Sequence, residues 1–332
     1  MRLTIIKINI SLCSQKSKSV AVSYRGPSKN VQLELYFGMG DSLEHYIEKN
    51  QYTLFEKYYL LRVEEMSKLP ESHKLNTVII GGFQNVPVEM GDKCLNTYWN
   101  DRVVGMTAIG DYGREIFNRD IHSLLLGNEN EQNDHKRAVD WVMDTQQSIA
   151  DLYCEFKPKT DRDLDYILEN CKYIEDLTLF VKPTDAYCPA KMPNFSLNYL
   201  YISPSFWINS QHLLLMNCKT ILLQDSKLTH RELNSFLKHW MNGGCFQLKD
   251  LKVFVEETLN YETALDGLSF TRREDEVDKE YVNHENSNYV IKNGFNIKRP
   301  IDDVTATIRD DGPDSERFSM LVWPDFSGNS YE

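Results

Sequence analysis

Ile221-Leu222-Leu223, then Leu228-Thr229-His230-Arg231-Glu232-Leu233-Asn234-Ser235-Phe236-Leu237-Lys238-His239-Trp240, Gly243-Gly244 and Leu251-Lys252-Val253 decide how this chain folds. The two short apolar runs read as buried strands. Between them, Leu233, Phe236, Leu237 and Trp240 recur at helical spacing and form one apolar stripe. Thr229 is a good N-cap, and Glu232 three residues later completes a capping-box pattern. Gly243-Gly244 stops the helix. Strand, capped helix, glycine stop and strand make a β-α-β unit, and a right-handed crossover makes its strands parallel.

Outward from this unit the same texture recurs. Leu152-Tyr153-Cys154, Leu177-Thr178-Leu179, Leu200-Tyr201-Ile202, Ile221-Leu222-Leu223 and Leu251-Lys252-Val253 share an apolar-x-apolar core. The first residue advances by 25, 23, 21 and 30 positions, near the leucine-rich-repeat range of roughly 20 to 29 residues. Helices are expected over Asp161 to Asn170, Ser205 to Met216 and Thr229 to Trp240. No asparagine ladder accompanies the strands. The expected class is α/β: degenerate leucine-rich-repeat-like strand-helix units with a parallel sheet, flanked by N-terminal and C-terminal antiparallel strands.

Near the N-terminus, Ile5 to Ser19 is compatible with a short helix ending in a basic turn. Val20-Ala21-Val22-Ser23-Tyr24 and Val31 to Tyr36 alternate on either side of Arg25-Gly26-Pro27-Ser28 and read as a hairpin or two strands. Leu43 to Met66 carries mixed helical and strand signals. Val78-Ile79-Ile80 and Val103-Val104-Gly105-Met106 read as buried strands. The polar segment 127–137 reads as a linker loop, with Ala138, Val139, Trp141 and Val142 on a following helix. Thr271 to Asn288 is charge-dense and reads as a solvated loop or edge hairpin. The alternating runs from Tyr289 to Trp323 predict a small closing antiparallel sheet. Expected regions are therefore 1–20, 21–126, the linker 127–137, 138–260 and 261–332.

With 332 residues, 41% of them hydrophobic and 11% aromatic, the chain has the profile of a folded protein rather than a disordered one. A net charge of −12 argues against a general nucleic-acid binder, which needs surplus Lys and Arg. No apolar run approaches a membrane span, and no clear signal-peptide cleavage site follows the first apolar residues. Seven scattered cysteines, Cys13, Cys94, Cys154, Cys171, Cys188, Cys218 and Cys245, form neither a CxxC pair nor a zinc pattern. They read as reduced thiols, mostly buried, in a cytoplasmic or nuclear protein.

No local signature of catalysis is present. G-x-S-x-G is absent, His230 and His239 lack the H-E-x-x-H spacing, and Gly81-Gly82 is not followed by the Lys-Ser of a phosphate cradle. Asp302-Asp303 and Asp310-Asp311-Gly312 lack the ligand alternation of a calcium loop and read as turns. No cofactor or metal is expected.

Phe206-Trp207-Ile208-Asn209, Leu213 to Cys218, Ile221-Leu222-Leu223 and especially Leu228 to Trp240 closely resemble the type 2 F-box-associated domain of nematodes. Leu248 to Val253 matches the family's leucine-rich closing strand, and Gly294 to Arg299, Thr305 to Ile308 and Met320 to Trp323 also look like family features. Ile301-Asp302-Asp303-Val304 replaces the family's usual Asp-Gly turn. The domain is expected at about 194–254, with Leu228, Leu233, Phe236, Leu237 and Trp240 as its core. Ile10 to Lys18 resembles the last helix of an F-box whose leading helices and Leu-Pro segment are missing. The resemblance implies a substrate-recognition subunit of an SCF-type ubiquitin ligase. It would dock on a Skp-type adaptor through a weakened remnant (Ile10, Leu12, Cys13) and present a surface to a target protein. Tyr199, Tyr201 and Trp207, expected to be exposed, are candidate contacts, since Tyr and Trp are enriched at interface hot spots. The alternatives are a divergent enzyme whose site assembles only in the fold, and a family remnant without a function.

Overall fold

A computed structural model describes residues 2–24, 31–38, 41–46, 57–70, 76–91, 94–127, 134–170, 173–193, 195–273, 278–312 and 314–331. The expected turn at 25–28, positions 128–133 of the linker, Cys171, Asn194 and the acidic run 274–276 lie outside them. The chain forms two compact units: residues 1–157 with 170–174, and residues 158–169 with 175–332. The segment 127–137 falls within the first.

The first unit runs α1 (Arg2–Cys13), α2 (Gln15–Ser23), β1 (Gln32–Phe37), β2 (Ser42–Tyr46), β3 (Lys57–Glu65), β4 (Asn76–Ile80), β5 (Phe83–Met90), β6 (Leu95–Trp99), α3 (Arg102–Phe117), β7 (Ile121–Leu126), α4 (Asp134–Thr145) and β8 (Ile149–Cys154). Its strands lie in the order β8-β7-β1-β2-β3-β6-β5-β4. β1 pairs with β7 and β3 with β6 in parallel, whereas β1–β2 and β4–β5 are antiparallel.

Two expectations are overturned here. Val20 to Ser23 ends helix α2 rather than forming a strand, because the Ser14 hydroxyl accepts from the Ser17 amide and starts a helical turn. Val103 to Met106 likewise opens helix α3. The Asp101 carboxylate caps it by accepting from Val104 N, and Val103, Met106, Ile109, Tyr112 and Ile116 are all buried at helical spacing. Gly105, Gly110 and Gly113 make α3 unusually approachable. A Cβ at these positions would come within 2.6 Å of Trp99, Trp141 and Leu43, respectively.

The second unit runs α5 (Asp161–Asn170), β9 (Ile174–Leu179), β10 (Tyr199–Ile202), α6 (Ser210–Leu215), β11 (Thr220–Ser226), α7 (His230–Met241), β12 (Asp250–Val255), α8 (Tyr261–Ala264), β13 (Phe270–Arg273), β14 (Lys279–Val282), β15 (Asn288–Ile291), β16 (Gly294–Lys298), β17 (Thr305–Arg309) and β18 (Arg317–Val322). The order β13-β16-β17-β18-β12-β11-β10-β9 joins four parallel strands to four antiparallel ones. Leu177, Leu200, Ile221 and Leu251 are direct partners across the parallel strands, as are Leu179, Ile202, Leu223 and Val253. All eight are buried. The in-register apolar row is what holds the pairing, since a one-residue slip would turn every one of them to the other face.

Helix α7 follows the sequence closely. Glu232 N donates to Thr229 Oγ1 at 3.4 Å and Thr229 N donates to Glu232 Oε2 at 2.9 Å. Leu228, Leu233, Phe236, Leu237 and Trp240 are all buried. Helix α6 is shorter than expected because its cap is Asn209, whose side chain accepts from His212 N while His212 Nδ1 accepts from Asn209 N. The four described buried cysteines are Cys94, Cys154, Cys218 and Cys245, while Cys13 and Cys188 are exposed.

Within the charge-dense stretch Thr271 to Asn288, β13 is the edge strand of its sheet. β14 and β15 pair antiparallel as a separate hairpin, and its Tyr281 and Ile291 pack with Leu321 and Trp323 in a small second core. Leu321 is the cross-strand partner of Asp250, and Met320 that of Leu251. The hairpin therefore covers the sheet face opposite the main apolar rows.

Candidate protein-recognition surface

Because side chains alternate along a strand, β9 to β12 present a second set of residues on the face away from the leucine rows. Asp176, Tyr199, Thr220 and Asp250 form one cross-strand row, and Thr178, Tyr201, Leu222 and Lys252 the next. The charges of Asp250 and Lys252 meet beneath the hairpin. Lys252 Nζ lies 3.0 Å from Asp250 Oδ2 and donates to the Tyr289 hydroxyl at 3.1 Å. Asp250 is only 1% exposed, and burial raises its pKa. Burial alone would lower the pKa of Lys252, but the Asp250 charge and the Tyr289 hydrogen bond raise it on balance. The pair is a buried polar tie between sheet and hairpin, reinforced by Tyr281, whose hydroxyl donates to Lys249 O at 2.7 Å.

The candidate contact aromatics divide. Tyr199 is half-buried and stacks on His284, with ring centroids 4.4 Å apart. Tyr201 is also half-buried, donates to Gln224 Oε1 at 2.7 Å and meets Phe180 edge-on. Trp207 is not exposed as expected: it is only 6% accessible. Its ring fills the loop after β10 between Tyr187, 5.4 Å away edge-on, and His212. Tyr187 is anchored in turn by its hydroxyl on Asp165 Oδ1. Packing thus consumes the Trp207 ring.

In the first unit, Ile10 and Cys13 are exposed on α1 and Leu12 is half-buried. The opposite face of that helix is fixed inward by buried Ile8 and by Ser11 Oγ, 2.6 Å from the Tyr112 hydroxyl. Exposed Val20 and Tyr24 on and just after α2 add apolar surface to this helical pair.

Other features escaped the sequence reading. Arg299 is buried, lies 4.8 Å from the Trp240 ring and is held by two hydrogen bonds to Asp302. The departure Ile301-Asp302-Asp303-Val304 therefore supplies the carboxylate that neutralises a core guanidinium. The Asp250-Lys252 alternation within an apolar strand was the one available signal that the second face is also covered. Among the described residues no group of three or more His, Cys, Asp or Glu side chains is placed to hold a metal ion, and no helix is long and apolar enough to cross a membrane.

Residues 191–253 match the family model described as F-box associated. Over 89 residues the chain is 33% identical to the Skn-1 dependent zygotic transcript 15 protein of Caenorhabditis elegans, a match covering 26% of each chain. Over 73 residues it is 30% identical to the E3 ubiquitin-protein ligase hecw-1 of the same organism, covering 22% of this chain and 6% of that protein. The chain thus spans about a quarter of the first relative's length and far less of the second's. No solved structure matches it.

Proposed function

We propose, for a chain that belongs through residues 191–253 to the nematode F-box-associated family, that it is a non-catalytic substrate-recognition subunit of the ubiquitin pathway. One observation carries the reading. The family segment coincides with the run β10-α6-β11-α7-β12, whose leucine rows and α7 stripe are buried, so these residues serve as a packed frame rather than as a reaction site. Its parallel strands at intervals of 21 and 30 residues suit a degenerate leucine-rich-repeat-like scaffold. Such scaffolds present extended surfaces to protein partners.

In this reading the α1–α2 pair is the docking remnant for a Skp-type adaptor, with Ile10, Leu12 and Cys13 on its outer side. Tyr199 and Tyr201 border the recognition face, and the target is another protein in the cytoplasm or nucleus. The similarity to a segment of an E3 ubiquitin-protein ligase supports the pathway assignment. Affinity purification of the tagged full chain after proteasome inhibition tests it, with bound proteins quantified by mass spectrometry. Enrichment of cullin-type ligase subunits is expected. Their absence from a correctly folded bait contradicts the proposal.

A further inference from the structure

Strand β4, Asn76-Thr77-Val78-Ile79-Ile80, ends the strand order of the first unit. β5 pairs with one side of it, and among the described residues no strand pairs with the other. Pro87 fixes which backbone groups of β4 face outward. Thr77 stands opposite Pro87, which has no N–H, so the two cannot exchange both ladder bonds. The bonded pairs are therefore Asn76 with Val88 and Val78 with Val86, and the N–H and C=O of Thr77 point away from β5. Between the pairs Val78–Val86 and Ile80–Phe83, β4 has only Ile79, whereas β5 has Gln84 and Asn85. The bulge thus lies on β5, where Asn85 takes a φ of 56°. β4 keeps its alternation, and Ile79 also turns its N–H and C=O outward. The strand is anchored on its inner face. Ile80 is fully buried, and a Cβ at Gly81 would come within 2.7 Å of Ala108 O on α3.

Edge strands are commonly guarded by charge. β13, the edge strand of the second unit, carries Arg272 and Arg273. β4 carries no charged side chain at all, in a chain of net charge −12. Asn76, Thr77 and Ile79 are exposed, Ile79 to 45%. The single charge on β5, Glu89, accepts from the Tyr98 hydroxyl at 2.8 Å. Two copies of this strand therefore meet without like charges facing each other. Turned antiparallel about Val78, one copy sets its Thr77 opposite Ile79 of the other. These are the two residues whose backbone groups point outward, so each pair exchanges both bonds. The opposed side chains are β-branched, a favourable cross-strand match.

We propose that β4 pairs antiparallel with β4 of a second copy of this chain, centred on Val78, and joins two first units in a two-fold symmetric dimer. The proposal goes beyond the recognition reading above and stands without it.

Sedimentation velocity of the full chain tests it over about 1–200 μM, a range suited to a short strand interface. The native chain should pass from monomer to dimer across this range. Thr77→Pro removes an outward N–H that bonds nothing in β5, a change tolerated on an edge strand. It should raise the dimer dissociation constant by about tenfold or more. Thr77→Lys/Ile79→Lys sets lysine against lysine across the interface and should leave only monomer, as should Thr77→Glu/Ile79→Glu. Mixed in equal amounts, these two charged variants should dimerise with each other, because every lysine then faces a glutamate. Arg272→Ala on the β13 edge should change nothing. Each variant's thermal transition confirms that it is folded. A native chain that stays monomeric throughout, a dimer that persists in the double-lysine variant, or charged variants that stay monomeric when mixed overturns the proposal.

Discussion

Arg299 shows how much a single side chain does in this protein. Its guanidinium is buried over Trp240 and depends on Asp302, half-exposed on its outer side, for neutralisation. The hydrogen bond from Arg299 holds the Asp302 carboxyl below its ordinary range. A depressed carboxyl contributes stability above its unfolded pKa and loses it as pH falls through the lower folded value. Urea unfolding should therefore show the native chain losing stability from about pH 4 downward more steeply than Asp302→Asn. A parallel decline in both would deny Asp302 this role. Lys252 is the second test at this scale. Lys252→Met leaves the Asp250 carboxylate buried without its cation and should destabilise the second unit by about 3 kcal/mol. Lys252→Met/Asp250→Asn should cost less than the single change, because no bare charge remains. Chemical denaturation of both variants reads the difference.

The elements differ sharply in how far the sequence announces them. β9 to β12, α5 and α7 were legible because apolar-x-apolar alternation, a capping box and a glycine stop are local signals that agree with one another. Thr229→Ala, which removes the reciprocal cap, should lower stability by about 1 kcal/mol in a thermal melt. Helix α3 was not legible. Four residues around a glycine look like a buried strand, and the helical period of Val103, Met106, Ile109 and Tyr112 emerges only over a longer window. Its glycines serve neighbours remote in sequence or just before the helix. Gly105→Ala places a Cβ 2.6 Å from the Trp99 ring and should cost about 1–3 kcal/mol by overpacking, read from the urea midpoint. The β14–β15 hairpin was legible as strands but not in its position. Tyr281 is buried through Leu321, Trp323 and Lys249, contacts that no local pattern encodes. Trp207 illustrates the same gap, since its burial depends on Tyr187 and His212 arriving from other segments.

At the scale of the whole molecule, each unit holds its own buried core, and the family match falls wholly within the second. The proposed function assigns adaptor docking to the α1–α2 pair and target recognition to the unit that holds the family match. The claim that this chain delivers a bound protein for degradation is tested most directly by a captured partner's half-life. Translation is blocked, and the partner is followed with the chain present and with it depleted. Depletion should lengthen the half-life, and re-supplied native chain should restore it. A partner that is firmly captured yet decays at the same rate with or without the chain would contradict the account.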